Sequence, residues 1–372
     1  MAVARTEAIA LRKRPTAVDR RRFLAATIAA PFVAATRRAE TGAVIDRGFA
    51  RVTRLADGVF ATIADPQLGL QCYSNGGVIV GRDAVLIVEG HFTAEGAALE
   101  MDAARTLSKA PIRGVVNTHY HLDHTFGNIG YARHGVPILA HDGVEPLMRQ
   151  NYKPLDERAR AAWLAPWERR VAGAHDAVDR SRMAGDLEQI SFIGQAVDHV
   201  SLAFPTEALD PKHLPMTIDL GRMRVTIEFH PGHSPTDLIV IVGDRGIVFT
   251  GDLFFSHAYP VVPDANIVAW RRVLDTFMGY DRSTQFVPGH GPVGRLAQVR
   301  EQAAIMDDLR EHAERMMQRG ASVEEAERTY AVPRPFESFE VLCWGFTVGG
   351  AMRGYYAAHG HAREDAQTFA LR

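Results

Sequence analysis

The sequence predicts a mixed α/β fold built around short hydrophobic strands. Short apolar stretches with strand patterning recur along the chain as far as His290, and most of them end in a Gly-containing polar turn. Longer segments with apolar residues at helical spacing lie between these strands and after them. The chain has 372 residues, of which 47% are hydrophobic, and this suits one large domain or a domain with an extension.

Residues 1–35 predict an export signal that is not part of the fold. Arg20-Arg21-Arg22-Phe23-Leu24 precedes an apolar run over residues 25–35 that is rich in small side chains. This pattern is typical of a twin-arginine signal that is cleaved near Ala34 or Ala35. A disordered basic tail and an uncleaved anchor helix are the alternatives. The signal predicts a periplasmic protein that keeps no membrane anchor after cleavage.

Cleavage at this point would also change the charge of the protein. Residues 1–35 hold seven basic and two acidic side chains, so their removal takes the formal net charge from −2 to −7. An acidic protein is a poor binder of nucleic acid. We therefore expect a small-molecule substrate and no nucleic-acid partner.

The first half of the domain shows strand signals and one clear helix. Residues 36–49 predict a frayed lead-in. Residues 93–108 predict a helix that Thr93 caps, because Glu95 follows and apolar residues recur at helical spacing. Strands are predicted over residues 52–55, 59–63, 76–80, 85–88, 112–118 and 137–141.

Residues 142–212 predict a helical insert. A helical segment over residues 155–182 holds Trp163 and Trp167, which would share one face, with Pro166 between them. The two tryptophans either dock the insert onto the sheets or form an aromatic wall above a cleft. Three histidines of this region have no ligand-like context: His175, His199 and His213.

The second half of the domain predicts two hairpins and a helix. Residues 216–220 and 223–229 join at Gly221-Arg222, and residues 238–242 and 247–249 join through residues 243–246. Residues 266–278 predict a helix. We place the end of this domain, which begins near residue 36, at residue 294. A C-terminal helical extension over residues 295–372 follows, with helices over 302–319, 322–330 and 336–356, and it either packs on the sheets or forms an oligomer contact.

The most informative stretch is His119-Tyr120-His121-Leu122-Asp123-His124, which places four metal-binding side chains within six residues. It follows the predicted strand over residues 112–118. A loop that leaves a strand can direct alternate side chains at one cation and the other pair at a second. Neutral imidazole and carboxylate suit zinc or another first-row divalent ion.

Three further clusters supply partners of the right chemical types. His233 lies in Gly232-His233-Ser234-Pro235-Thr236-Asp237, Asp252 in Thr250-Gly251-Asp252, and His290 in Pro288-Gly289-His290-Gly291-Pro292. Each follows a short hydrophobic strand. Glycine at such a turn permits tight backbone geometry and close approach to a ligand. Together the four clusters predict a metal centre.

The order of HYHLDH, GHSPTD, TGDLFF and PGHGP resembles the metallo-β-lactamase-fold hydrolase superfamily, over about residues 58–293. The resemblance implies an αββα sandwich with two mixed sheets face to face and the metals at one edge. The chain departs from the family at Glu89, which follows the second strand of the resemblance where the family usually has Asp, and this concerns the hydrogen bonds that support the centre. The resemblance also implies a ligand set. The first metal would be held by His119, His121 and His233, the second by Asp123, His124 and His290, and Asp252 would bridge them.

The resemblance further implies a dinuclear zinc hydrolase. Two zinc ions would share a hydroxide that attacks an ester, thioester, lactone or lactam, with Asp123 orienting the nucleophile and moving its proton. Periplasmic β-lactamases usually have Cys at the position of Asp252. The Asp makes this chain more similar to the glyoxalase II, lactonase and esterase branches. The alternatives are an iron-dependent oxidoreductase similar to sulfur dioxygenases, and a metal-bound binding protein without turnover.

The remaining polar residues near these motifs have weaker predictions. His230 and His141 are expected to be packed or to support a ligand, and His257 and Tyr259 to line the pocket. Cys72 and Cys343 have apolar neighbours, which favours two buried free thiols over a disulfide.

Overall fold

The computed structural model describes most of the chain after its first 42 residues. The predicted export signal and His199 lie outside the described residues. Those residues are 43–65, 67–152, 157–197, 201–263 and 265–361.

The first sheet contains eight strands that are adjacent in chain order. Neighbours pair antiparallel up to the fifth strand and parallel from the fifth to the eighth. Its strands are β1 (Ala43–Asp46), β2 (Ala50–Ala56), β3 (Val59–Ala64), β4 (Gly76–Val80), β5 (Val85–Val88), β6 (Ile112–Val116), β7 (Ile138–His141) and β8 (Glu207–Leu209).

The second sheet contains five strands in the order β13-β12-β11-β10-β9. β12 and β13 are parallel and the other neighbours are antiparallel. Both predicted hairpins are present, and the turn at Gly221-Arg222 has positive φ at both residues, as a type I′ hairpin turn requires. The strands are β9 (Met216–Asp219), β10 (Arg224–Phe229), β11 (Leu238–Val242), β12 (Ile247–Phe255) and β13 (Gln285–His290).

Helices cover the outer faces of both sheets. Their bounds are α1 (Ala94–Leu107), α2 (Leu122–Thr125), α3 (Asn128–Arg133), α4 (Val144–Asn151), α5 (Glu157–Ala172), α6 (Ala177–Val197), α7 (Ile267–Met278), α8 (Leu296–Gln318), α9 (Val323–Thr329) and α10 (Val348–Ala358). Three helices begin at the caps that their sequences predict, because the side chains of Thr93, Asn266 and Ser322 each accept a backbone N–H three residues on.

Three apolar clusters define the layers. Strand alternation places Val59 and Ile79 between the two sheets, where they pack with Val240 and Phe249 of the second sheet. Neighbouring strand residues point the other way and pack against α1 and α3. The outer face of the second sheet packs against α7 and α8 in a third cluster, which includes Trp270. The αββα sandwich is therefore confirmed, with its helical insert and C-terminal helices.

Two segments differ from the sequence prediction. The supposed lead-in contains β1, which pairs with β2 at the edge of the first sheet. Residues 337–347 are not helical, and α10 begins only at Val348. Some backbone groups of this segment bond to the loop after β12. Tyr259 N–H donates to Glu340 C=O and Val262 N–H to Phe346 C=O, so the segment satisfies its backbone without a helix.

The insert and the C-terminal helices join the same core. Trp167 of α5 packs edge-on against Phe346, with ring centroids 5.1 Å apart, and both belong to the apolar cluster that covers the second sheet. Cys72 and Cys343 are buried and unpaired. Within the described ranges, no helix combines the length and the hydropathy that a membrane crossing requires.

Candidate metal centre

The structure brings together the seven side chains that the four motifs contribute. His119, His121, Asp123 and His124 come from the loop after β6 and from the short α2. The other three come from the second sheet: the loop between β10 and β11, the strand β12 and the end of β13. These side chains form two adjacent groups within which the potential ligand atoms lie within 4.8 Å of one another. The groups are His119, His121, His233 and Asp252, and Asp123, His124 and His290.

In the first group, three imidazole nitrogens converge. Nδ1 of His121 lies 3.0 Å from Nε2 of His119 and 2.9 Å from Nε2 of His233. Two of the three nitrogens belong to residues that are fully shielded from solvent, and His121 is also buried. Neutral imidazoles in this arrangement present several lone pairs to one point, which is the donor set that a divalent first-row cation takes.

Asp252 faces both groups. Its Oδ2 lies 3.4 Å from His233 Nε2, and its Oδ1 lies 3.2 Å from His124 Nε2 and 3.4 Å from His290 Nε2. Asp123 Oδ2 completes the second group, at 3.2 Å from His290 Nε2. One carboxylate thus directs a separate oxygen at each set of histidines, the arrangement expected of a bridging ligand.

Two buried atoms test whether a cation fits this arrangement. His124 Nε2 and Asp252 Oδ1 are inaccessible to solvent and make no hydrogen bond of acceptable geometry, although they lie 3.2 Å apart. Buried polar atoms without partners are costly and rare. A divalent ion between the two groups would satisfy both atoms, so the residues present fit a divalent metal.

The electrostatics of the seven residues are tightly linked. Burial alone would raise the pKa of the Asp252 carboxyl, but His290 and His124 outweigh it and hold that pKa well below its usual range. Burial also opposes protonation of His290, yet Asp252 and Asp123 raise the pKa of that imidazole to about 9. Protons therefore neutralise this cluster when no ion is bound. Metal binding must displace them, as is usual for imidazole ligands.

Glu89 occupies a supporting position beside the second group. It is buried, and its Oε2 lies 3.0 Å from Nδ1 of His124 and accepts a hydrogen bond of 2.5 Å from the hydroxyl of Thr118. That hydroxyl lies 3.1 Å from Nδ1 of His119. Glu89 therefore lies against a histidine of the second group and reaches one of the first group through Thr118. The side chain of Glu89 is longer than that of the Asp usual in the family. Its backbone has a φ of 117°, in the region that L residues rarely adopt.

We expect Glu89→Ala to weaken metal binding at the group of Asp123, His124 and His290 by about 10- to 100-fold, because it removes the carboxylate that lies 3.0 Å from Nδ1 of His124. Zinc titration with a competing chelator measures this loss. Glu95→Ala, a change to an exposed carboxylate in the first turn of α1, is the matched control. Unchanged affinity for both ions in Glu89→Ala would remove Glu89 from the support of the centre.

Other supporting residues have no signal in the sequence strong enough to identify them. Asn75 donates to the carbonyls of Pro288 and Gly291 on either side of His290. The hydroxyl of Ser74 donates to the Asp123 carbonyl. Each is a common polar residue beside a strand, and its role depends on contacts between distant parts of the chain.

Asp237 and Gly289 shape the loops that carry two of the predicted ligands. Both carboxylate oxygens of Asp237 accept hydrogen bonds from the 232–234 turn, and burial raises the pKa of this group to about 7. They therefore fix the loop of His233. A Cβ on Gly289 would lie only 1.8 Å from Oδ1 of Asp252, so this position requires glycine for close approach, as its motif predicts.

An open cavity lies beside the centre, with about 480 Å³ of empty space that includes the solvent at its mouth. Four of the seven clustered residues line it: His121, Asp123, Asp252 and His290. Its outer wall comes from α6 of the insert and from the segment before α10. The insert does lie over the centre, but Trp163 and Trp167 are not part of the wall. The predicted aromatic wall is therefore wrong in its residues, and Ile190 and Ile193 occupy that place.

The remaining predicted histidines lie away from the seven-residue cluster. His230 contacts Glu228 at 2.8 Å, and Nδ1 of His141 accepts from Gly143 N–H. His257 is exposed and packs on Phe339, while the hydroxyl of Tyr259 lies 3.2 Å from that of Tyr330. The prediction that His257 and Tyr259 line the pocket is wrong. His175 and His213 are exposed, as expected of histidines without a ligand role.

A two-sheet sandwich with a carboxylate between two groups of histidines defines a class of metal-dependent protein. A profile of the metallo-beta-lactamase superfamily matches residues 69–290, more than half of the chain. The chain belongs to this superfamily. The class includes hydrolases, and membership supports a hydrolase at this coarse level.

Comparison with solved structures places the chain in the same fold. A metallo-beta-lactamase from Pontibacter korlensis is 16% identical, with a TM-score of 0.50, over 69% of this chain and 99% of that one. The stereoselective inverting sec-alkylsulfatase Pisa1 from Pseudomonas sp. is 14% identical, with a TM-score of 0.58, over 83% of this chain and 50% of the sulfatase. At such identities the likeness establishes the fold alone.

Curated relatives match only a short part of the chain. Uncharacterized proteins of Mycobacterium bovis and Mycobacterium tuberculosis are 34% identical over 82 residues, which is 20% of this chain. The matched region spans 37% of the length of those relatives.

Proposed function

We propose that this protein is a zinc-dependent hydrolase that uses two ions to cleave an ester, thioester, lactone or lactam bond. The observation that supports the proposal best is the position of Asp252, whose two oxygens face separate groups of histidines. A carboxylate shared in this way suits two ions better than one. The cavity beside it offers a substrate access to both groups.

The residues divide into two ligand sets with distinct roles. We assign the first ion to His119, His121 and His233, and the second to Asp123, His124 and His290, with Asp252 between them. When bound, two zinc ions would supply an acidified water and a Lewis acid for the scissile carbonyl. Every other function must come from the side chains of this chain.

Asp123 is our candidate for proton transfer. Its carboxylate lines the cavity, and it is more exposed than the buried Asp252, at 14% against 5% of the side chain. Oδ2 of Asp123 contacts His290 and His124 on one side. The other oxygen is thus placed to accept a proton from the nucleophilic water and to return it to the leaving group.

Metal analysis combined with a substrate panel tests the proposal. The purified full-length protein is analysed for metal as isolated and is then assayed, both as isolated and loaded with zinc, against a neutral nitrophenyl ester, a thioester, a γ-lactone, a β-lactam, a secondary alkyl sulfate and a low-molecular-weight persulfide. We expect two zinc ions per chain and hydrolysis of at least one acyl substrate. The metal-free protein should not hydrolyse that substrate. One iron per chain with sulfur oxidation would support the oxidoreductase alternative instead. Two bound zinc ions without any turnover would support a binding protein.

A further inference from the structure

The wall of the cavity is apolar and is built by parts of the chain that lie outside the sandwich. Ile190 and Ile193 come from α6, Leu342 and Phe346 from the segment before α10, and Val261 from the loop after β12. Four of these five side chains are buried. A substrate whose reacting group lies at the metal centre would therefore place its remaining atoms against hydrocarbon.

This wall holds no counter-ion for a charged substrate. In the part of the chain that the structure describes, no lysine or arginine lines the cavity, and its ionisable groups are those of the metal centre, the thiol of Cys343 and the phenol of Tyr73. Burial raises the pKa of that thiol well above its usual range, so it stays neutral. A charge on the distant end of a substrate would lose its hydration here without compensation, which is strongly unfavourable.

Two neutral polar side chains interrupt the apolar wall. Nε2 of Gln189 donates to the hydroxyl of Tyr73 at 2.6 Å, and the ring of Tyr73 lies 5.7 Å from that of His290. The pair offers an uncharged donor and acceptor beside the reacting centre.

The position of the wall is fixed by a buried carboxylate. Asp186 on α6 accepts hydrogen bonds from the backbone N–H groups of Trp344 and Gly345, at 2.7 and 2.8 Å. These bonds tie the insert to the segment that carries Leu342 and Phe346. The cavity is therefore largely preformed, as is usual for sites that take small molecules.

We propose that the cavity takes an uncharged substrate with an apolar acyl arm that packs against this wall, and that Gln189, beside Tyr73, lies where it can contact the arm. The identity of the reacting bond rests on the proposed hydrolase function. The preference for a neutral arm rests on the cavity alone.

Matched chelators test the preference directly. Octanohydroxamate and the monohydroxamate of suberic acid share an eight-carbon chain and a group that anchors on zinc, and they differ in a terminal carboxylate. Calorimetry with the zinc-loaded full-length protein should show that octanohydroxamate binds at least about tenfold more tightly, because the carboxylate is desolvated without a counter-ion. Equal affinities, or tighter binding of the anionic compound, would overturn the inference.

Substitution at Gln189 tests the role of the polar pair. Gln189→Arg places a cation in the wall and should reduce the preference by about tenfold or reverse it. Glu188→Arg is the control, because residue 188 is exposed on the same helix and does not line the cavity. Circular dichroism confirms that both variants fold. If the preference for octanohydroxamate is unchanged in Gln189→Arg, or shifts equally in Glu188→Arg, Gln189 does not contribute to specificity.

Ester hydrolysis separates this inference from the proposed function. A protein that binds zinc and prefers octanohydroxamate but hydrolyses no acyl substrate contradicts the hydrolase proposal and supports the inference about the cavity. A protein that hydrolyses nitrophenyl esters and binds both hydroxamates equally supports the hydrolase proposal and contradicts the inference about the cavity.

Discussion

Asp252→Ala is expected to lower kcat/KM by at least about a thousandfold, because this carboxylate contacts both ligand sets and its loss disturbs both ions. The two ions should not be affected equally. His119, His121 and His233 remain as a complete set of three imidazoles, whereas the second set loses the Oδ1 atom that lies 3.2 Å from His124. Zinc content by mass spectrometry and kcat/KM for the best acyl substrate measure the two effects.

His230→Ala provides a matched control for the loss of Asp252. His230 lies three residues before His233 in the same loop region, but it pairs with Glu228 and does not belong to the cluster. We expect this variant to keep both ions and its turnover. If Asp252→Ala instead retained two zinc ions with unaltered kinetics, Asp252 could not be a bridging ligand.

The seven clustered residues could be predicted from the sequence because four short motifs carry them and the order of these motifs resembles the metallo-β-lactamase superfamily. His290 follows a short strand, and Asp252 lies in the parallel strand beside it, so the pairing of β12 with β13 brings the two together. The glycine before His290 marks the close approach to Asp252. Motifs of this kind consist of residues that are adjacent in the chain, so a single sequence shows them directly.

The supporting residues and the cavity wall could not be predicted in the same way. Asp186 bonds to residues more than 150 positions further along the chain, and Asn75 bonds to residues more than 210 positions further. No periodicity or motif encodes such distances. The segment over residues 337–347 shows the same limit: its composition favours a helix, but its backbone pairs with the loop after β12 instead.

The insert shows why aromatic residues alone do not identify a cavity wall. Its sequence left two alternatives, in which Trp163 and Trp167 either dock the insert onto the sheets or form an aromatic wall above a cleft, and Trp167 fits the first. In the structure α6 provides the wall, and α5 with its tryptophans lies behind it. The smaller Ile190 and Ile193 face the cavity, while Trp167 supports Phe346 from the core side. The size and aromatic character of a residue do not show whether it lines the cavity or packs behind the residues that do.

This arrangement makes a second strong prediction, for Trp167→Ala. The side chain is only 3% exposed and packs in the cluster that covers the second sheet. Its removal should lower the free energy of unfolding by about 3–5 kcal/mol, because no neighbouring group can fill so large a cavity. Urea denaturation, monitored by far-ultraviolet circular dichroism, measures the loss.

Trp163→Ala serves as the comparison, since the two residues share one helix and differ in burial. Trp163 is only partly buried, so its removal should cost less. Neither side chain lines the cavity, and we expect both variants to bind two zinc ions with little change in KM below the unfolding transition. If these tryptophans formed the wall, their removal would raise KM and change the free energy of unfolding little. A raised KM with full stability in either variant would therefore return that tryptophan to the substrate site and contradict its assignment to the supporting core.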